Sequence, residues 1–482
     1  MKKQLLLFCF SLGTFALLAQ EDLGISNSNY AGVNGIRLNP SSMVDSWAYM
    51  DIHLVGSSLF ADNNYVYLSK DEFSFWNDVD FSTSNNTTSI PEPRTNESNS
   101  KKNGIVDAAV YGPSFMISHK NSAFGFHVGV RTYTNINNIS PELARFMYNG
   151  LTYTPQHGIN FLNDKFRVNT MSWGEIGLSY GTIVYKQEKN MITAAGTIKK
   201  LIGLQAVSIN VENVDYEVID TTDLQVNDIT AQYGFGDVGF NSGKGWGGDI
   251  GFTYKRMKED VTNYVPHSQS NSCDHIEYNY KIGVSLIDIG AIKFTNATYG
   301  GLNNSSAYWG GYDSTEVDGI EGADSLIHSY FSNVVSGSEF KSTMPTAVSI
   351  QYDQNLGKGV FINFTAVHGI TGVKKMGLHR SSIIGVTPRY ETKRFEVAVP
   401  ISVYEFQRPH VGLAFRFNSV IIGSDNIAPF FIPSNIYGAD IYFAVKYTIF
   451  KSSACKGKHK KEKRKEKNFV ARNESYPCPL DK

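Results

Sequence analysis

Gly177-Leu178-Ser179-Tyr180-Gly181 spells G-x-S-x-G, the turn that presents a nucleophilic serine in hydrolases. That chemistry needs a strand, a sharp turn and a helix, so that the hydroxyl stands clear of the sheet. Here the pentapeptide lies inside a continuous alternation of large apolar with small or polar residues, which puts Ser179 on the glycine-rich face of a strand and speaks against a catalytic role. Gly234-Phe235-Gly236-Asp237-Val238-Gly239 and Gly243-Lys244-Gly245-Trp246-Gly247-Gly248 both fit G-x-G-x-x-G. Neither opens a helix in a strand-helix-strand unit, so they read as loop and strand beginning rather than as nucleotide sites. The 11 histidines show no H-E-x-x-H spacing and no Cys/His cluster, and the sequence calls for no metal, no cofactor and no enzyme activity. His53 and His127 share the small-and-polar strand face with Arg131 and Glu175, and the expected role of all four is to line a polar interior.

These residues need an architecture to hold them, and the start of the chain limits the choice. Lys2-Lys3, an apolar run from Leu5 to Leu18 and then Ala19-Gln20 form a secretory signal, so residues 1–19 are expected to be removed on export. No later stretch stays apolar long enough for a membrane-spanning helix, because glycines, amides and charges interrupt each run. A membrane barrel remains, and an aromatic content of 13% with 43 glycines suits strands that carry rings outside and small residues inside.

Four segments show the pattern cleanly. Phe124, Phe126, Val128 and Val130 alternate with Gly125, His127, Gly129 and Arg131; Ile176, Leu178 and Tyr180 alternate with Glu175, Gly177 and Ser179. Ile250, Phe252 and Tyr254 alternate with Asp249, Gly251 and Thr253, and Tyr280, Ile282, Val284 and Leu286 with Lys281, Gly283 and Ser285. Laid end to end, the strands predicted are 47–59, 106–119, 122–134, 170–185, 190–200, 246–259, 276–294, 345–353, 359–368, 380–391, 394–405, 410–417, 420–424 and 438–450. Short connections such as 119–121, 186–189 and 418–419 alternate with long ones at 60–105, 135–169, 201–245 and 295–344. Outer-membrane barrels keep short turns in the periplasm and long loops outside, which puts both termini in the periplasm.

The predicted fold is therefore all-β, a transmembrane antiparallel barrel of about 14 strands over 47–450, preceded by a segment at 20–46 and followed by a tail at 451–482. In loop 135–169, Ser140-Pro141-Glu142 opens a helix whose Leu143, Phe146, Met147 and Leu151 share one apolar face. That face lines an entrance for hydrophobic ligands or packs as a lid on neighbouring loops. The tail sets nine cations between Lys451 and Lys467 against Glu462 and Glu466, on a body that is net acidic. In the periplasm its counterparts are anionic headgroups, an acidic partner protein or solvent, and not nucleic acid. With Cys9 lost in the signal, Cys273, Cys455 and Cys478 remain, and the simplest pairing is Cys455 with Cys478.

The segment Asn29-Tyr30-Ala31-Gly32-Val33-Asn34-Gly35-Ile36-Arg37-Leu38-Asn39-Pro40-Ser41-Ser42 resembles the N-terminal Asn-Pro-Ala region of FadL-like barrels, with Ser41 where alanine is usual. Those barrels include channels for long-chain fatty acids and hydrocarbons, and the PorV component of type IX secretion. Gly196-Thr197-Ile198-Lys199-Lys200-Leu201-Ile202-Gly203-Leu204, the stretch from Lys281 to Lys293, and Tyr437-Gly438-Ala439-Asp440-Ile441-Tyr442 are similar to Bacteroidota outer-membrane proteins of unknown function placed near that group. The resemblance implies a lumen plug built from residues 20–46, with Asn39, Pro40 and Ser41 forming a rigid turn in it. It implies either a passive channel for hydrophobic small molecules or a non-transporting accessory barrel of a secretion or assembly complex. The partners expected are outer-membrane lipid, a hydrophobic ligand, and a periplasmic or outer-membrane protein held by the tail.

Overall fold

A computed structural model describes residues 22–72, 92–269, 275–312, 319–370, 376–405, 407–431, 434–452 and 455. Fourteen strand lines close into one antiparallel barrel. They are β1 Met50–Asn63; β2 Lys102–Tyr111 with Ser114–His119; β3 Ser122–Ile139; β4 Asn160–Gln187; β5 Asn190–Val218; and β6 Leu224–Gly236 with Gly243–Met257. Next come β7 Tyr278–Phe294 with Ala297–Trp309; β8 Val335–Gly337, Phe340–Thr343 and Ala347–Gly357; β9 Val360–Gly369; and β10 Ile383–Glu391. The last are β11 Phe395–Ala398 with Ile401–Tyr404; β12 Arg408–Val411 with Leu413–Phe417; β13 Val420–Ser424; and β14 Gly438–Ile449. Met50 of β1 lies opposite Ile449 of β14, and that pairing removes the free edges an open sheet would expose.

One end of the barrel carries tight turns. Lys120, Glu188, Lys358 and Asn418 sit there with φ between 48° and 54°, the left-handed geometry that matches the twist of two-residue hairpins. Each predicted strand corresponds to one observed line, but the long loops drawn at 201–245 and 295–344 need correction. β5 runs on to Val218, β6 begins at Leu224, and β7 continues to Trp309. The physical reason is a reversal of polarity along the wall. In the lower half Ile198, Ile250 and Phe252 point outward and are exposed while Lys199 and Asp249 are buried inside. In the upper half Val214, Tyr216, Val218, Leu224 and Val226 point inward into a core, as in a water-soluble protein. A rule that expects apolar residues outside stops where the apolar residues turn inward. Breaks in the ladder between Ser172 and Trp173 and between Val211 and Asn213 reset the strand phase for this switch.

Inside the barrel, residues 22–48 are almost entirely buried. They form two short helices, α1 Leu23–Ser26 and α2 Val33–Ile36, and a 3₁₀ turn at Pro40–Met43. At the long-loop end a helix, α3 Pro141–Asn149, covers the upper wall, and Gly319–Tyr330 forms a further helix, α4.

Candidate functional site

The plug is held in place by its turn. Asn39 sits in extended backbone before Pro40 and caps the 3₁₀ turn, its Oδ1 accepting from Ser41 N at 3.0 Å and Ser41 Oγ at 2.7 Å. Its Nδ2 donates to Gln351 Oε1 at 2.9 Å, and Ser41 Oγ meets Thr253 Oγ1 at 2.6 Å. Pro40 presets the backbone of the turn and has no N–H to satisfy. Gly251 and Gly283 face this turn, and a Cβ on either would overlap the Asn39 amide. The glycine-rich inner face of the strands is thus the space into which the plug fits.

Hydrogen bonds and the Lys255–Asp45 ion pair fasten the rest of it, backed by ion pairs within the wall. Ser28 donates to Glu391 at 3.1 Å and to Glu396 at 2.8 Å, and Asn29 also bonds Glu391. Arg389 bridges Asp353 at 2.6 Å and Glu391 at 3.2 Å, while Arg416 pairs with Glu396 at 2.9 Å. Lys446 pairs with Asp51 at 3.3 Å and donates to the carbonyls of Tyr30 and Ala31. Lys255 grips Asp45 at 2.8 Å, and Leu23 N donates to Asp425 at 2.8 Å. Contacts therefore reach the plug from many directions around the wall.

Above the plug lies a charged layer. Asp288 accepts from Arg131 at 2.9 Å, Lys199 at 2.8 Å and Arg380 at 2.7 Å, and Lys199 also reaches Asp249 at 2.9 Å. Glu175 sits 3.7 Å from Arg131 and from His127, and accepts from Trp173 Nε1 at 3.1 Å. Four lumen residues read from sequence, His53, His127, Arg131 and Glu175, are buried inside the barrel; Arg131, Glu175 and His127 meet here, while His53 lies lower, beside Gly56. Sequence reasoning missed the centre of this layer, Asp288, and its partner Arg380. Lys199 and Asp249 carried a usable signal, a charge at the inward phase of an alternating strand. Asp288 carried none, because it sits at a bulge where Ile287 and Asp288 face the single residue Asp249, with φ 53°. Arg380 comes from a connection folded back into the barrel, where Ser381 N donates to Tyr133 Oη at 3.0 Å. Two cavities lined by plug and wall measure only about 20 and 10 Å³, about one water molecule each.

Higher still the interior turns apolar. Tyr133, Met171, Trp173, Leu201, Ile292, Phe294, Phe340, Met344 and Leu378 are packed together, with Met376 against them. Over this lies the upper core, where Leu143 and Leu151 are buried, Phe146 packs at the edge against Tyr216 at 5.5 Å, and Met147 stays exposed. Three adjacent strands are interrupted at this level: β6 after Gly236, β7 after Phe294, and β8 after Gly337 and Thr343. A cleft of about 800 Å³ opens beside the breaks, lined by Trp246, Ala291, Tyr299, Phe340, Lys341 and Met376 among others. Phe340 and Met376 belong both to the inner apolar layer and to this cleft.

Gly177–Gly181 lies within β4, and its Ser179 is buried and shares a 2.8 Å hydrogen bond with Thr197 on β5. Among the described residues no group of three His, Cys, Asp or Glu could hold a metal ion. Cys455 is disulfide-bonded, and its Sγ and Ser452 Oγ face the carbonyl of His267 at 3.6 and 3.2 Å. Cys273 and Cys478 lie outside the described residues, as do residues 1–21 and 456–482.

Several solved structures are similar in fold. The P. putida toluene transporter TodX is 9% identical, with 86% of this chain and 93% of that chain covered at a TM-score of 0.39. The CymD monoaromatic hydrocarbon channel is 10% identical over 90% and 97% of the two chains, with a TM-score of 0.39. A Pseudomonas aeruginosa FadL homologue is 9% identical over 90% and 99%, with a TM-score of 0.38. No curated protein matches the chain. The profile of a family of unknown function, DUF5723, matches residues 40–425, from the proline of the plug turn to the end of β13, and the chain belongs to that family.

Proposed function

We propose that the protein is an outer-membrane barrel that admits small apolar molecules from outside and releases them sideways into the membrane. The apolar outer band of the lower wall and the tight hairpins at Lys120, Glu188, Lys358 and Asn418 support the membrane placement, with the plug end in the periplasm. The observation that carries the route is the double membership of Phe340 and Met376, which back the wall cleft and also belong to the inner apolar layer. An apolar molecule under the lid of α3 would reach lipid by displacing these two flexible or flat side chains. The way down would cross a layer of buried ion pairs, whose desolvation an apolar molecule cannot repay.

The test is uptake of toluene by cells whose outer membrane carries the protein. Ala291→Trp fills the cleft from the lipid side, and uptake is expected to fall to the level of cells without the protein, while the barrel stays folded. Unchanged uptake in that variant contradicts the lateral route.

A second reading, an accessory subunit of a larger complex, draws on the basic tail and on the anchoring of its first residues at His267. Mild extraction and native-gel sizing separate the two. A large complex that collapses on deletion of 456–482 supports the subunit, and a lone barrel opposes it.

A further inference from the structure

The outer surface around the cleft carries a charge pattern that neither transport nor the plug requires. Lys244 of β6 stands directly opposite Lys293 of β7, which stands directly opposite Lys341 of β8. All three side chains are exposed. One strand further along, Lys200 of β5 lies opposite Trp246, with its Nζ 4.8 Å from the ring centroid. Like charges directly opposite in a sheet destabilise it, and here three are aligned. Glu339 pairs with Lys293 at 2.7 Å, and Asp237 is exposed in the nearby break of β6, so cations outnumber acids along the row.

The height of the row matters as much as its charge. Tyr254, Tyr280 and Tyr352 form a run of neighbouring rings near the tight-turn end, with centroids 6.1 Å apart. Between Tyr254 and Lys244, exposed Phe252, Ile250 and Trp246 form the lipid-facing side of β6. About ten residues at roughly 3.3 Å each, on a strand tilted by ~40°, climb about 25 Å, the height of the apolar band of such barrels. The lysines therefore stand at its upper rim, level with headgroups of the outer leaflet.

We propose that Lys200, Lys244, Lys293 and Lys341 bind the phosphate groups of lipid A, the phosphorylated, multiply acylated glycolipid of the outer leaflet. Trp246 and the apolar side of the cleft receive one of its acyl chains. A row of ammonium groups suits phosphates spread along a headgroup, and an adjoining cleft of about 800 Å³ lies within the range of ligand pockets. The bound glycolipid would border the mouth of the cleft. The inference rests on the outer-membrane placement and not on the channel reading.

The experiment uses the full chain in nanodiscs, with native mass spectrometry of lipid retained from mixtures of purified lipid A and phosphatidylcholine. Wild type is expected to retain lipid A, and the triple variant K244Q/K293Q/K341Q to lose it, by roughly fivefold for each lysine removed. K244R/K293R/K341R keeps the charge and is expected to retain lipid A, which separates charge from misfolding. Equal retention by the glutamine variant, equal retention of dephosphorylated lipid A, or displacement by inorganic phosphate at matched concentration would overturn the assignment. Membrane fractionation of the producing cells is read separately. Protein found outside the outer membrane removes that placement, whereas the nanodisc result decides whether the lysines recognise phosphorylated lipid.

Discussion

Asp288 gathers Arg131, Lys199 and Arg380 around one carboxylate, all of them buried. Removing it takes the shared carboxylate from three buried cations, although Lys199 keeps Asp249 and Arg131 keeps Glu175, so Asp288→Ala is expected to destabilise the barrel by about 3 kcal/mol, the low end of the usual cost of breaking a buried pair. Urea unfolding in detergent micelles checks this, and a change near zero would show that the layer is hydrated and loosely coupled. Asn39→Ala removes the plug turn's amide from Gln351 and Ser41 and is expected to cost about 1–3 kcal/mol. Its direct readout is faster proteolysis within residues 22–48. The inward phase of His127, Arg131 and Glu175 was legible because each alternates with an apolar residue, Phe126, Val130 or Ile176, along its strand. Asp288 was not, since a bulge shifts the phase there, and no local pattern announces that Arg380 folds back into the lumen.

Helix α3 shows how an element acquires a role from the wall beneath it. Ser140 Oγ accepts from Leu143 N at 3.1 Å, so the sequence signal for the start of the helix is also its cap, and Ser140→Ala is expected to cost about 1 kcal/mol. Arg145 ties the helix to Glu97 at 2.8 Å in the preceding loop. The Thr95 hydroxyl, and then Arg145, hold the Glu97 carboxyl below the usual range. A depressed folded value means that this stabilisation is present above the unfolded glutamate range and is lost as pH falls through the folded value. Cleavage around residues 92–101 by an acid-active protease is therefore expected to accelerate below the ordinary carboxylate range, and equal protection at both pH values would count against the pair. Helix existence and the lower strands were legible in residue periodicity. The upper extensions of β4 to β7 were not, because there the apolar residues point inward and the pattern outside reverses.

At the scale of the whole molecule, the count of the strands followed from alternation and from the short connections at one end, whereas the connection read at 201–245 shrinks to residues 219–223. How full the lumen is could not be read, because it depends on contacts such as Ser28 to Glu396 that join residues far apart in the chain. Under the proposed function the plug seals the lower barrel, so that anything admitted must leave through the wall. Single-channel recording in planar bilayers tests it directly. The intact protein is expected to pass no steady ionic current, and a variant lacking residues 22–48 to open a conducting pore. Steady conductance by the intact protein would contradict the seal and, with it, the sideways route.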